Sequence, residues 1–246
     1  MQAEAEANFQ RHIVDNPYPG RGIVVARDGQ GEHHGERSTF HFIYWIMGRS
    51  EHSQNRRFVA DGGVLRTEPV DVSKVQDPSL IIYEAMLELP GVQLVTNGDQ
   101  TRTIHDALQS GGSFESALRT REREPDAPNY TPRISAMLDV RGGAPELALS
   151  ILKANPFDPE QSDRFFFRPA LPAPGFGLML TTYMGDGSPL PSFEGEPRVM
   201  PCAGGAAELL ERYWEALDTG NRVSLAVKSI SAEAETLGLR IKNRFG

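Results

Sequence analysis

No apolar run in this chain is longer than about eight residues, and each stops at a cluster of glycine, proline or charged side chains. Such runs are too short to cross a bilayer as a helix, which takes about 20 residues. They suit short buried strands separated by turns. Residues 23–26 read as a first strand, 28–38 as a polar hairpin loop and 39–47 as a second strand. Residues 64–67, 80–83 and 92–95 are further strand candidates. Two helices follow, with Thr101 and Ser113 as expected caps and with Ile104, Ala107 and Leu108, then Phe114, Ala117 and Leu118, turned inward. Pro125, Pro128 and Pro132 stiffen the next connector. Strands resume at 133–138, 147–152, 164–168 and 177–183, before a Gly/Pro-rich loop over 185–198. Residues 205–218 form an amphipathic pattern, with Leu209, Leu210, Tyr213, Trp214 and Leu217 on one face. Alternation over Val223, Leu225 and Val227, then Leu237, Leu239 and Ile241, gives two closing strands.

Strands in this number, with helices between and around them, point to an α+β fold of stacked sheets flanked by helices. Residues 1–15 read as a short helix or a loose N-terminal arm. Residues 16–246 read as one domain, because no repeat or low-complexity linker divides them. The chain of 246 residues is long enough for a substantial core.

Its net charge of -8 opposes binding to nucleic acid or to an anionic membrane. Any anion site must therefore be a local basic pocket. The one cysteine, Cys202, excludes an internal disulfide and fits a reducing compartment. With a polar, acidic N-terminus and no secretory pattern, the expected location is cytoplasmic. His33, His34, His41, His52 and His105 follow no metal-ligand spacing, so no metal and no cofactor are expected.

The sharpest polar cluster is Met47-Gly48-Arg49-Ser50-Glu51-His52-Ser53-Gln54-Asn55-Arg56-Arg57, directly after the apolar run 40–46. Three arginines, two serines and an asparagine at a strand end form an anion site, since a guanidinium presents a planar fork of donors that matches phosphate or carboxylate. A small phosphorylated molecule is the ligand this implies.

Several clusters, taken in order, resemble the archaeal-type IMP cyclohydrolase family, including its bacterial members. They are Asn16-Pro17-Tyr18-Pro19-Gly20-Arg21-Gly22, Tyr44-Trp45-Ile46-Met47-Gly48-Arg49-Ser50 through Asn55-Arg56, and Asp77-Pro78-Ser79-Leu80-Ile81-Ile82-Tyr83. Thr96-Asn97-Gly98-Asp99-Gln100-Thr101, the stretch 118–134 and Gly185-Asp186-Gly187-Ser188-Pro189-Leu190-Pro191 through Glu194-Gly195-Glu196-Pro197 complete the set. The resemblance covers roughly residues 16–198. His52 and Gln54 depart from its pattern, where asparagine and arginine are common. It implies the four-layer αββα sandwich of N-terminal nucleophile hydrolases, without a nucleophile at the N-terminus. The implied activity is closure of 5-formamidoimidazole-4-carboxamide ribonucleotide to IMP and water, by acid/base and oxyanion chemistry without a covalent intermediate. A cyclase or amide hydrolase for a related nucleotide-like substrate, or a non-catalytic nucleotide sensor, would use the same pocket.

Ring closure needs proton removal from a carboxamide nitrogen, donors for a developing oxyanion and cations for a phosphate. The resemblance assigns Arg49, Tyr83 and Glu124 to catalysis. Arg49 is an anchor or oxyanion donor. Tyr83 is either a proton donor or a core tyrosine with a satisfied hydroxyl. Glu124 is either the general base or an ordinary acid in the charge run 121–124. Substrate contacts are expected from Arg21, Ser50, Asn55, Arg56, Asn97, Asp99, Thr131, Arg133, Asp186 and Glu194. Arg56 or Arg57 can instead pair with Glu51, and Asp99 can simply close a turn. The expected partner is a small nucleotide, and a homo-oligomer is compatible with such an enzyme although no heptad or self-complementary patch marks one.

Overall fold

A computed structural model describes residues 1–29, 38–75 and 82–245. Most of the expected hairpin loop at 28–38 falls outside the described residues, as do residues 76–81. Two antiparallel sheets make up the body. The first contains β1 (Gly22–Arg27), β2 (Phe40–Met47), β10 (Phe176–Thr181), β11 (Arg198–Pro201), β12 (Arg222–Ile230) and β13 (Thr236–Asn243), in the order β11-β10-β1-β2-β12-β13. The second runs in sequence order: β3 (Arg57–Asp61), β4 (Val64–Glu68), β5 (Glu84–Leu89), β6 (Val92–Thr96), β7 (Arg133–Asp139), β8 (Glu146–Ala154) and β9 (Ser162–Phe167).

Alternation along the strands decides which sheet face meets which layer. On β2, Phe40, Phe42, Tyr44 and Ile46 point toward the second sheet, where they join Phe58, Leu65, Ile134, Ala136 and Leu138 in one core. Ile43, Trp45 and Met47 point the other way. They pack under α1 (Gln2–Phe9), its π-helical continuation Gln10–Val14, and α5 (Ala206–Ala216), with Phe9, Ile13, Leu209 and Tyr213. On the far side, Met137 of β7 meets α3 (Gln100–Gln109) and α4 (Phe114–Leu118) through Ile104, Leu108, Phe114 and Leu118. Each fully buried side chain of this size contributes about 1.5–3 kcal/mol relative to exposure. The two sheets thus face each other, and helices cover the outer face of each. Among the described residues no helix is long and apolar enough to cross a membrane.

Residues 1–15 are a packed helix rather than a loose arm: Ala5, Phe9 and Ile13 are buried, and Asn8 Nδ2 donates to Val199 O at 3.0 Å. Ser113 caps α4 reciprocally with Ser116. Thr101 does not cap α3. That helix starts at Gln100, and the Thr101 hydroxyl lies in its first turn, 2.6 Å from Thr96 Oγ1. Half of the strand expected at 80–83 lies outside the described residues; Ile82 and Tyr83 precede β5, which begins at Glu84. β3, β11 and the single turn α2 (Glu51–Gln54) were not expected.

Toward the ends of the strands that lead away from Met47 and Thr96, the sheets are joined by a buried lysine. Lys228 Nζ donates to Gly63 O at 2.7 Å and to Glu88 Oε2 at 2.9 Å, while Gln93 Nε2 donates to Ala234 O at 2.7 Å. Burial lowers the Lys228 pKa, and Glu88 opposes that shift.

Two outcomes follow for stability. A Cβ on Gly22 would lie 1.9 Å from Trp45 Cζ2, so Gly22→Ala must displace the buried indole. Overpacking of this kind costs about 1–3 kcal/mol, a drop in Tm of roughly 3–10 °C by calorimetry; an unchanged Tm contradicts the packing. Burial, then the charges of Arg198 and Arg11, hold the His12 imidazole down at about 4. The unfolded chain therefore binds a proton that the native state refuses between the ordinary value of 6.5 and about 4. His12 costs stability as pH falls through that window and nothing above it. Urea midpoints of wild type and His12→Gln should converge or cross on going from pH 7 to 4.5; a constant difference contradicts this.

Candidate active site

A cleft of about 360 Å³ opens at the end of the sandwich where β1 and β7 begin and β2 and β10 end. The turn before β1 brings in its first side chains. Asn16 Oδ1 accepts from Tyr18 N at 3.0 Å, and Gly20 then takes φ +72°, open to glycine at little cost. A Cβ there would sit 2.2 Å from Thr182 Oγ1 and 2.5 Å from the Tyr183 ring. The close approach lets Tyr18 stack on Tyr183, with centroids 5.9 Å apart and planes 22° apart.

Arg21 comes next and is 8% exposed. Its Nη2 donates to Glu124 Oε2 at 2.8 Å and its Nη1 to Asn97 O at 3.0 Å. Burial alone would lower the guanidinium pKa, but Glu124 more than offsets it, and the value stands well above the ordinary one. Glu124 is 4% exposed, and its backbone N donates to Thr131 O at 2.9 Å. Beside this pair, the Thr131 hydroxyl donates to Asp126 and lies 2.5 Å from the Tyr183 hydroxyl. One hydroxyl has one proton, so with the Thr131 proton given to Asp126, Tyr183 must donate to Thr131. Burial raises the Tyr183 pKa, which keeps the phenol protonated.

The opposite wall is built by α2. Ser50 caps it reciprocally with Ser53, at 3.1 Å and 2.9 Å. Arg56 is 4% exposed; Nε donates to Ser53 O at 2.9 Å and Nη2 to Met47 O at 3.2 Å. It pairs with no carboxylate among the described residues, so neither it nor Arg57, which meets Glu68, pairs with Glu51. Arg49 lies at the mouth, 5.0 Å above the Tyr18 ring, and pairs with Asp186 while donating to Gly187 O at 3.0 Å.

Of the residues expected from the sequence, Arg21, Arg49, Ser50, Arg56, Glu124 and Thr131 line this cleft, and Asp186 touches it through Arg49. The others stand apart. Asn55 is bonded in both directions to the Asp71 backbone, at 2.7 and 2.8 Å. Asn97 is fully buried and bonds Pro132 O and Ile134 N, which holds β6 to β7. Asp99 pairs with Arg121 and Arg133; burial works to raise its pKa, but these charges, Arg133 first, hold it below the ordinary value. Arg133 also donates to Gln100 at 2.8 Å. The Glu194 carbonyl accepts from Arg198 at 3.3 Å, and its side chain is exposed. Tyr83 is buried between the sheets with its hydroxyl 2.6 Å from that of Tyr44. It borders a separate hollow of about 290 Å³ with Arg66, Glu84, Asp99 and Arg102.

Sequence reasoning missed Tyr18, His52, Asp126, Asn129 and Tyr183 as lining residues. Each lies in or beside one of the quoted motifs, and that position was the available signal. Gln54, one of the two departures noted in the sequence, donates to Gly48 O and Gly220 O at 2.9 and 3.1 Å. Cys202 lies in the core under α5, where burial pushes its thiol up to about 12. Among the described residues, no group of three or more His, Cys, Asp or Glu side chains is arranged to hold a metal ion.

The cleft therefore offers a buried cation–carboxylate pair on one side and unpaired or rim cations on the other. No curated protein matches the chain significantly. A family model described as IMP cyclohydrolase-like protein matches residues 18–234, which span every residue of the cleft. The chain belongs to the IMP cyclohydrolase-like family.

Proposed function

We propose that this protein is an IMP cyclohydrolase that closes the ring of 5-formamidoimidazole-4-carboxamide ribonucleotide. The observation that carries the reading is the buried Arg21–Glu124 pair facing the unpaired Arg56 across one cleft. The two sheets with outer helices fit the four-layer αββα sandwich of N-terminal nucleophile hydrolases. With its only cysteine buried in a remote layer, a non-covalent route fits better than acyl transfer.

Glu124 takes a proton from the carboxamide nitrogen as that nitrogen bonds to the formyl carbon. The carbonyl electron pair moves to oxygen, where the Arg21 charge stabilises it. Glu124 then returns the proton to that oxygen, giving a carbinolamine and a regenerated carboxylate. In the second half Glu124 removes the proton from the former formamide nitrogen, and the former carboxamide nitrogen keeps its second proton. The C=N bond forms, and the hydroxyl leaves with that proton as water. One carboxylate serves both halves, because protons removed from nitrogen end on the departing oxygen. Arg21 is a positioning and charge-stabilising group, fixed by Asn97 O on its other Nη. Thr131 and Tyr183 form the polar floor beside the reacting carbon. Arg49 and Arg56 bind the anionic end of the substrate. Tyr83, tied to Tyr44 beneath the cleft, supports this wall rather than transferring a proton.

The test is an absorbance assay of ring closure with purified protein and the formylated ribonucleotide. Turnover well above the spontaneous rate is expected; none from folded protein overturns the reading. Glu124→Gln keeps the side-chain shape and should lower kcat by about 10²–10⁴-fold. Arg49→Ala should act chiefly on KM. Normal turnover in Glu124→Gln removes Glu124 from the chemistry.

A further inference from the structure

His52 has no place in the scheme above, yet it lines the cleft. It lies on α2, whose single turn is pinned at Ser50 and Ser53 and, through Gln54, to Gly48 and Gly220. Arg49 is three residues before it and Arg56 four after. Arg49 precedes the extended N-cap Ser50 and Arg56 follows the C-cap Asn55, so the turn carries His52 between them, and all three line the cleft.

His52 Nδ1 is shielded from solvent and has no hydrogen-bond partner. With Nδ1 shielded, Nε2 is the ring nitrogen left to meet a ligand, and in the tautomer with its proton there it is a donor. Arg56 has the complementary state: Nε and Nη2 are engaged by carbonyls, and Nη1 bonds to nothing among the described residues. Arg49 is engaged by Asp186, a half-exposed carboxylate that a stronger anion can replace. Three donors, with no fixed carboxylate between them but one exchangeable carboxylate at the rim, suit a tetrahedral anion of high charge.

We infer that His52 is a specificity-determining residue that joins Arg49 and Arg56 in holding the substrate's terminal phosphate, which displaces Asp186 from Arg49. The inference rests on the reading of the cleft as a nucleotide site. The phosphate then lies at the α2 wall, and the base lies toward Arg21 and Glu124. His52 selects for the phosphorylated form and leaves the ring-closing groups untouched.

Calorimetric titration with IMP and with inosine separates phosphate recognition from base recognition. For His52→Ala the expected result is IMP binding weaker by about tenfold, with inosine affinity unchanged. KM for the formylated ribonucleotide should rise while kcat stays near wild type. His52→Gln, which retains a donor, should recover part of the loss, and thermal unfolding of both variants checks the fold. Unchanged IMP affinity, or equal losses for IMP and inosine, overturns the inference. If ring closure fails but the IMP–inosine contrast holds, the reaction assignment falls and the phosphate assignment stands. If the enzyme turns over but the contrast is absent, only the role of His52 falls. Wild type that binds neither ligand overturns both.

Discussion

The Arg21–Glu124 ion pair is the contact on which the site depends. Arg21 opens the first strand of one sheet and Glu124 precedes the β7 strand of the other, 103 positions away in sequence. Both charges are almost fully out of water. Removing either partner would leave an uncompensated buried charge, at a cost of about 3–5 kcal/mol. The pair therefore constrains how the two sheets meet at the cleft end, and Asn97 locks the same corner by bonding the β7 backbone and accepting from Arg21. At the other end, Lys228 and Glu88 perform the matching task. Between these two polar clamps the sheets meet in a largely apolar core that also holds the Tyr44–Tyr83 hydroxyl contact.

That frame explains why the cleft is asymmetric. Its deep side is preorganised: Arg21, Glu124, Asp126, Thr131 and Tyr183 are linked in two short chains of hydrogen bonds. The α2 side is looser. Arg49 is more than a third exposed, and its carboxylate partner is half exposed. A rigid end and a yielding end suit the proposed ring closure.

Much of the fold was legible in the sequence, because an apolar run such as β2 marks a strand covered on both faces and the alternation on β12 marks a strand by its period of two. The α4 cap was legible for a similar reason, since a Ser113–Ser116 bracket satisfies backbone donors locally. The elements that were missed depend on neighbours. β5 is built from Glu84-Ala85-Met86-Leu87-Glu88-Leu89, mostly good helix formers, and becomes a strand only because β4 and β6 flank it. β3 pairs with β4 across the Gly62-Gly63 turn, a two-residue hairpin signal, and its own apolar run is short. Among site residues, those in the arginine-rich cluster could be read locally. Asn97, Asp99 and Arg133 could not: their polar groups serve the β6–β7 corner and each other rather than the cleft. Tyr183 was missed because only the close approach at Gly20 brings it to Tyr18.

The central claim is that one cleft holds a nucleotide with its base against Arg21 and Glu124 and its phosphate against α2. A crystal structure of the protein with IMP bound tests this most directly. The purine ring should lie within hydrogen-bond distance of Glu124 and the phosphate on Arg56 and Arg49, with Asp186 released from Arg49. IMP bound in the hollow beside Tyr83, or seated with its phosphate on Arg21, would contradict it.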